Sequence, residues 1–259
     1  MIPKIIHYCW FGGKPKPDVV QAYIDSWRRF CPDYEIREWN ESNFNINENA
    51  YCREAYEAKK WAFVSDYARV KVLYNHGGIY IDTDVEFVRS FDSLLDDKIV
   101  MGFENNHMVS IGTIGSEAHN EFLSEILQEY SKRHFVNPDG SLDMMTNVQL
   151  ITELLTRNHG LTANGKEQIL HSGIHILPME SFVAKDYWTG WILADETTYA
   201  IHHYASTWVN EEDRKLIAKE RYYIRQIYKK IETPVHKIAA FKAVLELSGV
   251  KGILKKVFH

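Results

Sequence analysis

At 259 residues the chain fits one large domain, or one domain with a small appendage. Apolar residues at 45% and charged residues at 25% are ordinary globular values and exclude extended disorder away from the ends. A net charge of −5 with histidine neutral lacks the basic excess of a general nucleic-acid binder, so no nucleic-acid partner is expected.

Aromatic residues stand at 13%, with 15 Tyr and 7 Trp. Such rings serve sugar- and nucleoside-binding clefts as flat apolar platforms with polar edges, and they equally serve a Tyr-rich core. Cys9, Cys31 and Cys52 are odd in number and scattered, which fits neither a disulfide framework nor a zinc site. Reduced thiols and a cytoplasmic location are the simpler expectation. The first residues lack the layout of a signal peptide, and no apolar run approaches the roughly 20 residues of a membrane span. Nothing in the sequence sets an oligomeric state.

In chain order, Ile5 to Trp10 reads as a short buried strand, broken by Phe11-Gly12-Gly13. Pro15 and Pro17 lead into a helix over residues 18–30, a turn follows at Cys31-Pro32-Asp33, and Tyr34 to Trp39 alternates as a second strand. This βαβ opening predicts an α/β sheet. After a polar, Asn-rich loop over 41–49, a helical pattern runs from about Cys52 to His76, with a break expected near Ala62. Gly77-Gly78 ends it, as glycine does at a helix C-terminus. Ile79-Tyr80-Ile81 is a brief apolar strand running into Asp82-Thr83-Asp84, and Val85 to Val88 continues as strand. Further strands are expected at 99–104, 108–114, 174–177 and 199–203, and helices at 117–133 and 144–157. Beyond Asn210 the chain reads as helical to its end. The expected division is therefore a domain over 1–209 and a helical extension over 210–259.

The carboxylates of Asp82 and Asp84 stand two residues apart, directly after an apolar strand, where α/β sheets gather ligands. Alternate residues of an extended backbone face opposite sides, so a turn must begin here if both serve one site. Oxygen ligands suit Mg²⁺ or Mn²⁺, which complete their shells with substrate phosphate oxygens. An Asp-x-Asp by itself is also what solvated loop aspartates produce. Asp66 and Arg69, three apart, share one helix face, either to grip a sugar and a phosphate or as a structural ion pair. His202 and His203 end a strand ahead of small residues and Trp208. One of them could complete a metal shell, and imidazole favours Mn²⁺ over Mg²⁺. Equally, the pair could face opposite sides of a strand, one buried and hydrogen-bonded.

Together these pieces carry a resemblance. Residues 2–13, Ile2-Pro3-Lys4-Ile5-Ile6-His7-Tyr8-Cys9-Trp10-Phe11-Gly12-Gly13, look like the opening of family 32 glycosyltransferases. That family includes bacterial capsule and lipopolysaccharide enzymes and yeast initiating mannosyltransferases. The blocks at 62–69 and 77–84 resemble its core signature and that of the clostridial glucosylating toxins. The likeness covers residues 1 to 105 and returns at 199 to 208. It implies the A-type glycosyltransferase fold, a nucleotide-sugar donor and a glycan or lipid-linked acceptor. UDP is the more common nucleotide in that fold, and GDP donors also occur.

Residue by residue, the resemblance implies that Trp10 stacks on the donor base and that Asp66 and Arg69 hold the donor sugar. Asp82 would contact ribose or sugar and reach the cation through water, while Asp84 would bind it directly. Ser206-Thr207-Trp208 matches the toxins' Ser-x-Trp, so Ser206 and Trp208 would touch and close over the diphosphate. His203 stands where the toxins carry a metal-holding Glu, and related transferases use a His there. Asn147 is the candidate on the acceptor side. Retention of anomeric configuration is implied, with no dedicated nucleophile or base assigned.

Residues 229–259 carry seven Lys against two Glu, interleaved with apolar residues. Such basic amphipathic helices either lie on anionic membrane surfaces or pack on the domain or a second subunit. Peripheral membrane contact through this stretch is one expectation, and packing on the domain or on a second subunit is the other. Two rival readings remain open. A haloacid-dehalogenase-like phosphohydrolase also places Asp-x-Asp after a strand, though it wants Thr or Val where this chain has Glu86. A non-catalytic nucleotide-sugar-binding module would retain the fold without turnover.

Overall fold

The computed structural model describes residues 1–205 and 211–228. The α/β class expected from the opening is the one the chain adopts, around a mixed seven-stranded sheet. Its elements are β1 (Ile5–Cys9), α1 (Asp18–Phe30), β2 (Glu35–Trp39), α2 (Ala50–Glu57), α3 (Trp61–His76), β3 (Gly78–Ile81), β4 (Val85–Phe87), β5 (Ile99–Phe103), β6 (Val109–Ser116), α4 (Glu121–Ser131), α5 (Asn147–Asn158), β7 (Gln168–Ile169), β8 (Ile174–Leu177), α6 (Met179–Phe182), β9 (Ala200–His202) and α7 (Glu211–Tyr228). The strand order is β2-β1-β3-β6-β5-β8-β7, and β4 and β9 form a separate two-stranded ribbon.

β1 lies parallel to both β2 and β3, while β3 meets β6 antiparallel. The central strands β3, β5 and β6 are buried along their whole length, so helices must cover both faces. On one face α1 buries Val20, Ile24 and Trp27, and the Trp27 indole N–H donates to the Val85 carbonyl at 2.8 Å. On the other face α3 buries Val64, Ala68 and Leu73 in a cluster with Ile111, Ile114 and the inner faces of α4 and α5. These two apolar clusters sandwich the sheet.

Local chemistry sets the element boundaries. The helix expected from Cys52 to His76 is two helices, parted at Ala58–Lys60 rather than near Ala62. Lys59 takes φ 58°, a left-handed conformation that no helix interior tolerates. α4 starts later than expected because the Asn120 side chain accepts the Phe122 N–H. α5 starts at 147 because Thr146 and Gln149 form a reciprocal capping box. The stretch after Asp84 leaves the main sheet and pairs as β4 with β9. β7 and α6 are too short to carry a periodic signal in sequence.

The turn that aims β3 is tied from beneath by His7, which is wholly buried. The Trp39 indole can only donate, and it donates to His7 Nδ1 at 3.0 Å. The proton of the neutral ring therefore sits on Nε2, which donates to the Gly77 carbonyl at 2.8 Å. Burial holds this imidazole's pKa down at about 4, against the smaller pull of that carbonyl. Gly78 (φ 103°) follows, and a Cβ there would stand 2.6 Å from the Ile5 carbonyl oxygen.

The described chain separates into two compact units. The first comprises residues 1–184 and 194–203. Of the second, residues 185–193, 204–205 and 211–228 are described, and they pair a short hairpin with α7. The expected basic tail over 229–259 lies outside the described residues, as do 206–210. Among the described residues no helix is long and apolar enough to cross a membrane.

One strand in from the sheet edge, His175 on β8 meets Asp97 through Nδ1 at 2.9 Å and Glu167 through Nε2 at 3.0 Å. Carboxylates only accept, so both ring nitrogens carry protons. Partial burial opposes that charge, but the two carboxylates prevail and raise the pKa above the ordinary 6.5. A raised folded-state pKa means stability fully present below the unfolded value and lost as pH rises through the folded one. Urea unfolding should therefore show His175→Asn costing on the order of 1 kcal/mol at pH 5.5. The cost should fade toward pH 9; one that is equal at both pH values would refute the doubly protonated ring.

Candidate active site

β3 delivers Asp82 to the rim of the sheet, where its N–H donates to the Gly112 carbonyl at 2.7 Å. The chain then turns at once, closed by the Val85 N–H on the Asp82 carbonyl at 3.1 Å. This is the turn the Asp-x-Asp spacing demands, and it lets both carboxylates face one point. Asp82, Asp84 and His202 each offer a ligand atom, all within 4.8 Å of one another. His202 Nε2 stands 3.2 Å from Asp84 Oδ1. On β6, Gly112 leaves the room they occupy: a Cβ there would sit 2.9 Å from Asp82 Oδ2 and 3.6 Å from His202 Cε1.

The expected metal-side histidine, His203, is not the one brought to this group. His203 Nε2 pairs with Glu86 Oε2 at 2.9 Å, and its ring stacks on Tyr23 with centroids 4.8 Å apart. The reason is register. The β4–β9 ribbon sets His202 opposite Val85, and consecutive side chains at a strand end point to opposite sides. His203 contributes to the turn through its backbone, donating its N–H to the Asp84 carbonyl at 2.8 Å.

Behind the carboxylates lies Arg69, carried on α3 with its side chain only 7% exposed. Its two terminal nitrogens meet the two oxygens of Asp82 at 3.1 and 3.2 Å, a forked pairing. Nη2 also reaches Asp66 Oδ1 at 3.0 Å, and Nη1 donates to the Ile111 carbonyl at 3.0 Å. The guanidinium lies over the Tyr80 ring at 4.7 Å, and the Tyr80 hydroxyl donates to Asp82 Oδ1 at 3.0 Å. Asn147, at the start of α5, donates to Asp66 Oδ1 at 2.5 Å. The residue expected on the acceptor side is thus bonded to one expected on the donor side. Asp66 and Asn147 come from helices far apart in sequence, and the fold closes them into one wall.

Burial dominates the protonation of the carboxyls here. It pushes the Asp66 carboxyl up to about 6, although Arg69 pulls the other way. Asp82 is raised for the same reason, with Arg69 opposing and Asp84 assisting. For His202, burial disfavours the charge, but Asp84 and then Asp82 and Glu104 override it and lift the ring to about 8. Glu104, just past β5, is itself raised by burial and feels His202, Asp82 and Asp84. Neither Glu104 nor Tyr80 was singled out by the sequence reading. Tyr80 had a signal, since it lies two residues before Asp82 on the same strand face.

Trp10 follows β1, half-buried, with its indole N–H donated to the Lys14 carbonyl at 2.6 Å and Lys16 over its ring at 5.9 Å. Ser206 and Trp208 lie outside the described residues.

Residues 17–101 match the family described as a glycosyltransferase sugar-binding region containing a DXD motif. Inositol phosphoceramide mannosyltransferase 2 of Schizosaccharomyces pombe is 29% identical over 136 residues, which is 51% of this chain and 39% of that protein. Inositol phosphoceramide mannosyltransferase 3 of the same yeast is 25% identical over 142 residues, 52% of this chain and 38% of that protein. The chain thus spans well under half the length of these curated relatives. Among solved structures, the PaToxG glycosyltransferase aligns with a TM-score of 0.46 at 18% identity, over 60% of this chain and 69% of that one. The galactosyltransferase LgtC, in complex with donor and acceptor sugar analogues, aligns with a TM-score of 0.42 at 11% identity, over 78% and 87%.

Removing Arg69 would strand two largely buried carboxylates, which costs about 3–5 kcal/mol in comparable settings. Arg69→Ala should lower the urea midpoint strongly at pH 7.5. Without the guanidinium the folded-state carboxyl pKa values of Asp66 and Asp82 rise further, so the variant's deficit should shrink as pH falls toward 5. A deficit that grows on acidification would show that Arg69 does not compensate these two groups.

Proposed function

We propose that this protein is a glycosyltransferase of the A-type fold, moving a sugar from a nucleoside-diphosphate donor to a glycan or lipid-linked acceptor. The observation that carries the reading is the convergence of Asp82, Asp84 and His202 on one point, beside the Asp66–Arg69–Asn147 wall. The matched sugar-binding region, residues 17–101, spans four of these six residues: Asp66, Arg69, Asp82 and Asp84.

Two carboxylates and an imidazole form a donor set suited to Mn²⁺, with Mg²⁺ the alternative. Asp82, Asp84 and His202 would hold the ion, His202 taking the place that the resemblance gave to His203. When bound, the cation supplies the positive charge that offsets the negative charge gathering on the departing diphosphate. The chain's own residues do the rest. Arg69, fixed by Asp66, Asp82 and the Ile111 carbonyl, orients the Asp82 carboxylate and the sugar side of the site. Asp66 and Asn147 present polar atoms to sugar hydroxyls, where misplacement by about 1 Å can cost roughly a hundredfold in rate. Trp10 would stack on the donor base, and Ser206 and Trp208 would close on the diphosphate. Retention of configuration is proposed, with no base assigned.

UDP and GDP donors are both candidates. The mannosyl transfer and inositol phosphoceramide acceptor in the relatives' names support testing a mannosyl donor and a lipid-borne acceptor. A role in capsule or lipopolysaccharide synthesis at the cytoplasmic face of a membrane is the proposed setting, with peripheral contact through the basic C-terminal stretch. The rival phosphohydrolase reading is disfavoured by Glu86, which is engaged with His203.

The test is donor hydrolysis across a panel of UDP- and GDP-sugars with Mn²⁺ or with chelator. Activity should require the cation and fall by about 100-fold or more in Asp84→Ala. Cleavage of simple phosphate esters, or hydrolysis indifferent to both cation and Asp84, would overturn the assignment. A finer probe is Gly112→Ala. Its methyl would press on Asp82 Oδ2, which Arg69 holds, while Tyr80 holds the carboxylate's other oxygen. Cation affinity by calorimetry should weaken about tenfold, with the far-ultraviolet spectrum unchanged; unchanged affinity would place the cation away from Asp82.

A further inference from the structure

The second unit carries a surface that the proposed reaction does not use. Among the described residues, four of the exposed large apolar side chains fall within six consecutive positions. Trp188 is 46% exposed, Trp191 45%, Ile192 57% and Leu193 38%. Tyr222, on α7, is a fifth at 55%. Apolar groups left in water at this density mark an interaction site.

The hairpin that bears them is firmly built. Lys185 pairs with Ile192 across it, and the Asp186 N–H donates to the Trp191 carbonyl at 3.0 Å. The Asp186 carboxylate accepts the Thr189 hydroxyl at 2.6 Å and the Thr189 N–H at 2.5 Å. Gly190 turns the chain with φ 66°, and its N–H donates to the Asp186 carbonyl at 2.7 Å. α7 clamps the tip from below. Arg221 lies over the Tyr187 ring at 4.6 Å and donates to the Tyr187 carbonyl at 2.7 Å, and Arg225 donates to the Thr189 carbonyl. Polar bonds thus fix the backbone of the turn, Trp188 packs edge-on against the Tyr187 ring with centroids 5.1 Å apart, and Trp188, Trp191, Ile192 and Leu193 each keep a substantial part of their surface in water.

The geometry points to a lipid bilayer with anionic headgroups as the occupant of this surface. Trp and Tyr prefer the interfacial zone, where an apolar ring and a polar edge are both satisfied. Ile192 and Leu193 beside them favour acyl chains over a sugar, which stacks on aromatic faces and offers hydroxyls to its flanks. Charge agrees. On α7, within three residues of Tyr222, Lys219, Arg221 and Arg225 stand against Glu220. The sequence that follows, residues 229–259, adds seven Lys and only two Glu. Apolar groups for insertion and a basic excess for electrostatic attraction are the two signals that stable peripheral attachment takes. This inference does not depend on the reaction proposed above.

The test uses the full chain with phosphatidylcholine vesicles, with and without phosphatidylglycerol. Wild type should co-sediment with the anionic vesicles, and its tryptophan fluorescence should be quenched by lipids brominated on their acyl chains. Ile192→Asp combined with Leu193→Ser should weaken binding by about tenfold or more, with the far-ultraviolet spectrum and donor hydrolysis unchanged. Trp188→Leu with Trp191→Leu should remove most of the quenching. Binding by the Ile192/Leu193 variant equal to wild type, or no quenching of wild type, overturns the inference. Displacement of the protein from vesicles by a soluble oligosaccharide would assign the surface to a glycan and overturn it too. So would loss of self-association as the main effect of the substitutions. Vesicle binding without any donor hydrolysis would leave this inference standing and remove the enzymatic one.

Discussion

One guanidinium holds the described site together. Arg69 lies between Asp66 on its own helix and Asp82 at the end of β3, and it satisfies both while almost fully buried. Without it, two carboxylates in a poorly solvated place would repel each other and protonate. With it, Asp82 is pinned in a fixed orientation, helped by the Tyr80 hydroxyl from two residues earlier on the same strand face. A carboxylate that is already oriented needs little rearrangement when a ligand arrives, which is the economy that preorganised sites exploit.

The scaffold beneath the pair explains why so short a strand can be trusted with this position. β3 has four residues, but it lies between β1 and β6 in the middle of the sheet. Its entry is set by the Gly77-Gly78 turn, which His7 holds through a neutral, single-tautomer ring. Its exit is set by hydrogen bonds from Asp82 to Gly112 and from Val85 back to Asp82. The site therefore rests on backbone bonds at both ends of the strand, with the side-chain network stacked above them. The β4–β9 ribbon adds the last piece by carrying His202 across from residues more than a hundred positions later.

The two functional proposals draw on different parts of the molecule and different physics. The proposed transfer reaction depends on buried charges whose strength comes from exclusion of water. The proposed lipid contact depends on apolar groups exposed to water and on basic residues around them. An enzyme with a lipid-borne acceptor would need both. Each rests on its own observations, the first on the Asp82–Asp84–His202 group and the second on the hairpin over 185–193.

Much of this was legible in the chain itself, wherever a local rule governed. The apolar run Ile79-Tyr80-Ile81 before Asp82, the glycines that stop α3, and the three-residue spacing of Asp66 and Arg69 each declare themselves through nearest-neighbour geometry. The α/β class followed from the βαβ opening. What the sequence could not decide were matters of register and long-range closure. Whether His202 or His203 turns toward the carboxylates depends on how β9 pairs with β4, and a shift of one residue would exchange them. That Asn147 bonds Asp66 depends on the fold bringing the start of α5 to α3 across eighty-one positions. The break at Lys59 needed a left-handed residue that no propensity announces. Local periodicity is written in the order of residues, whereas the choice of face and partner is settled only when distant segments compete for the same buried space.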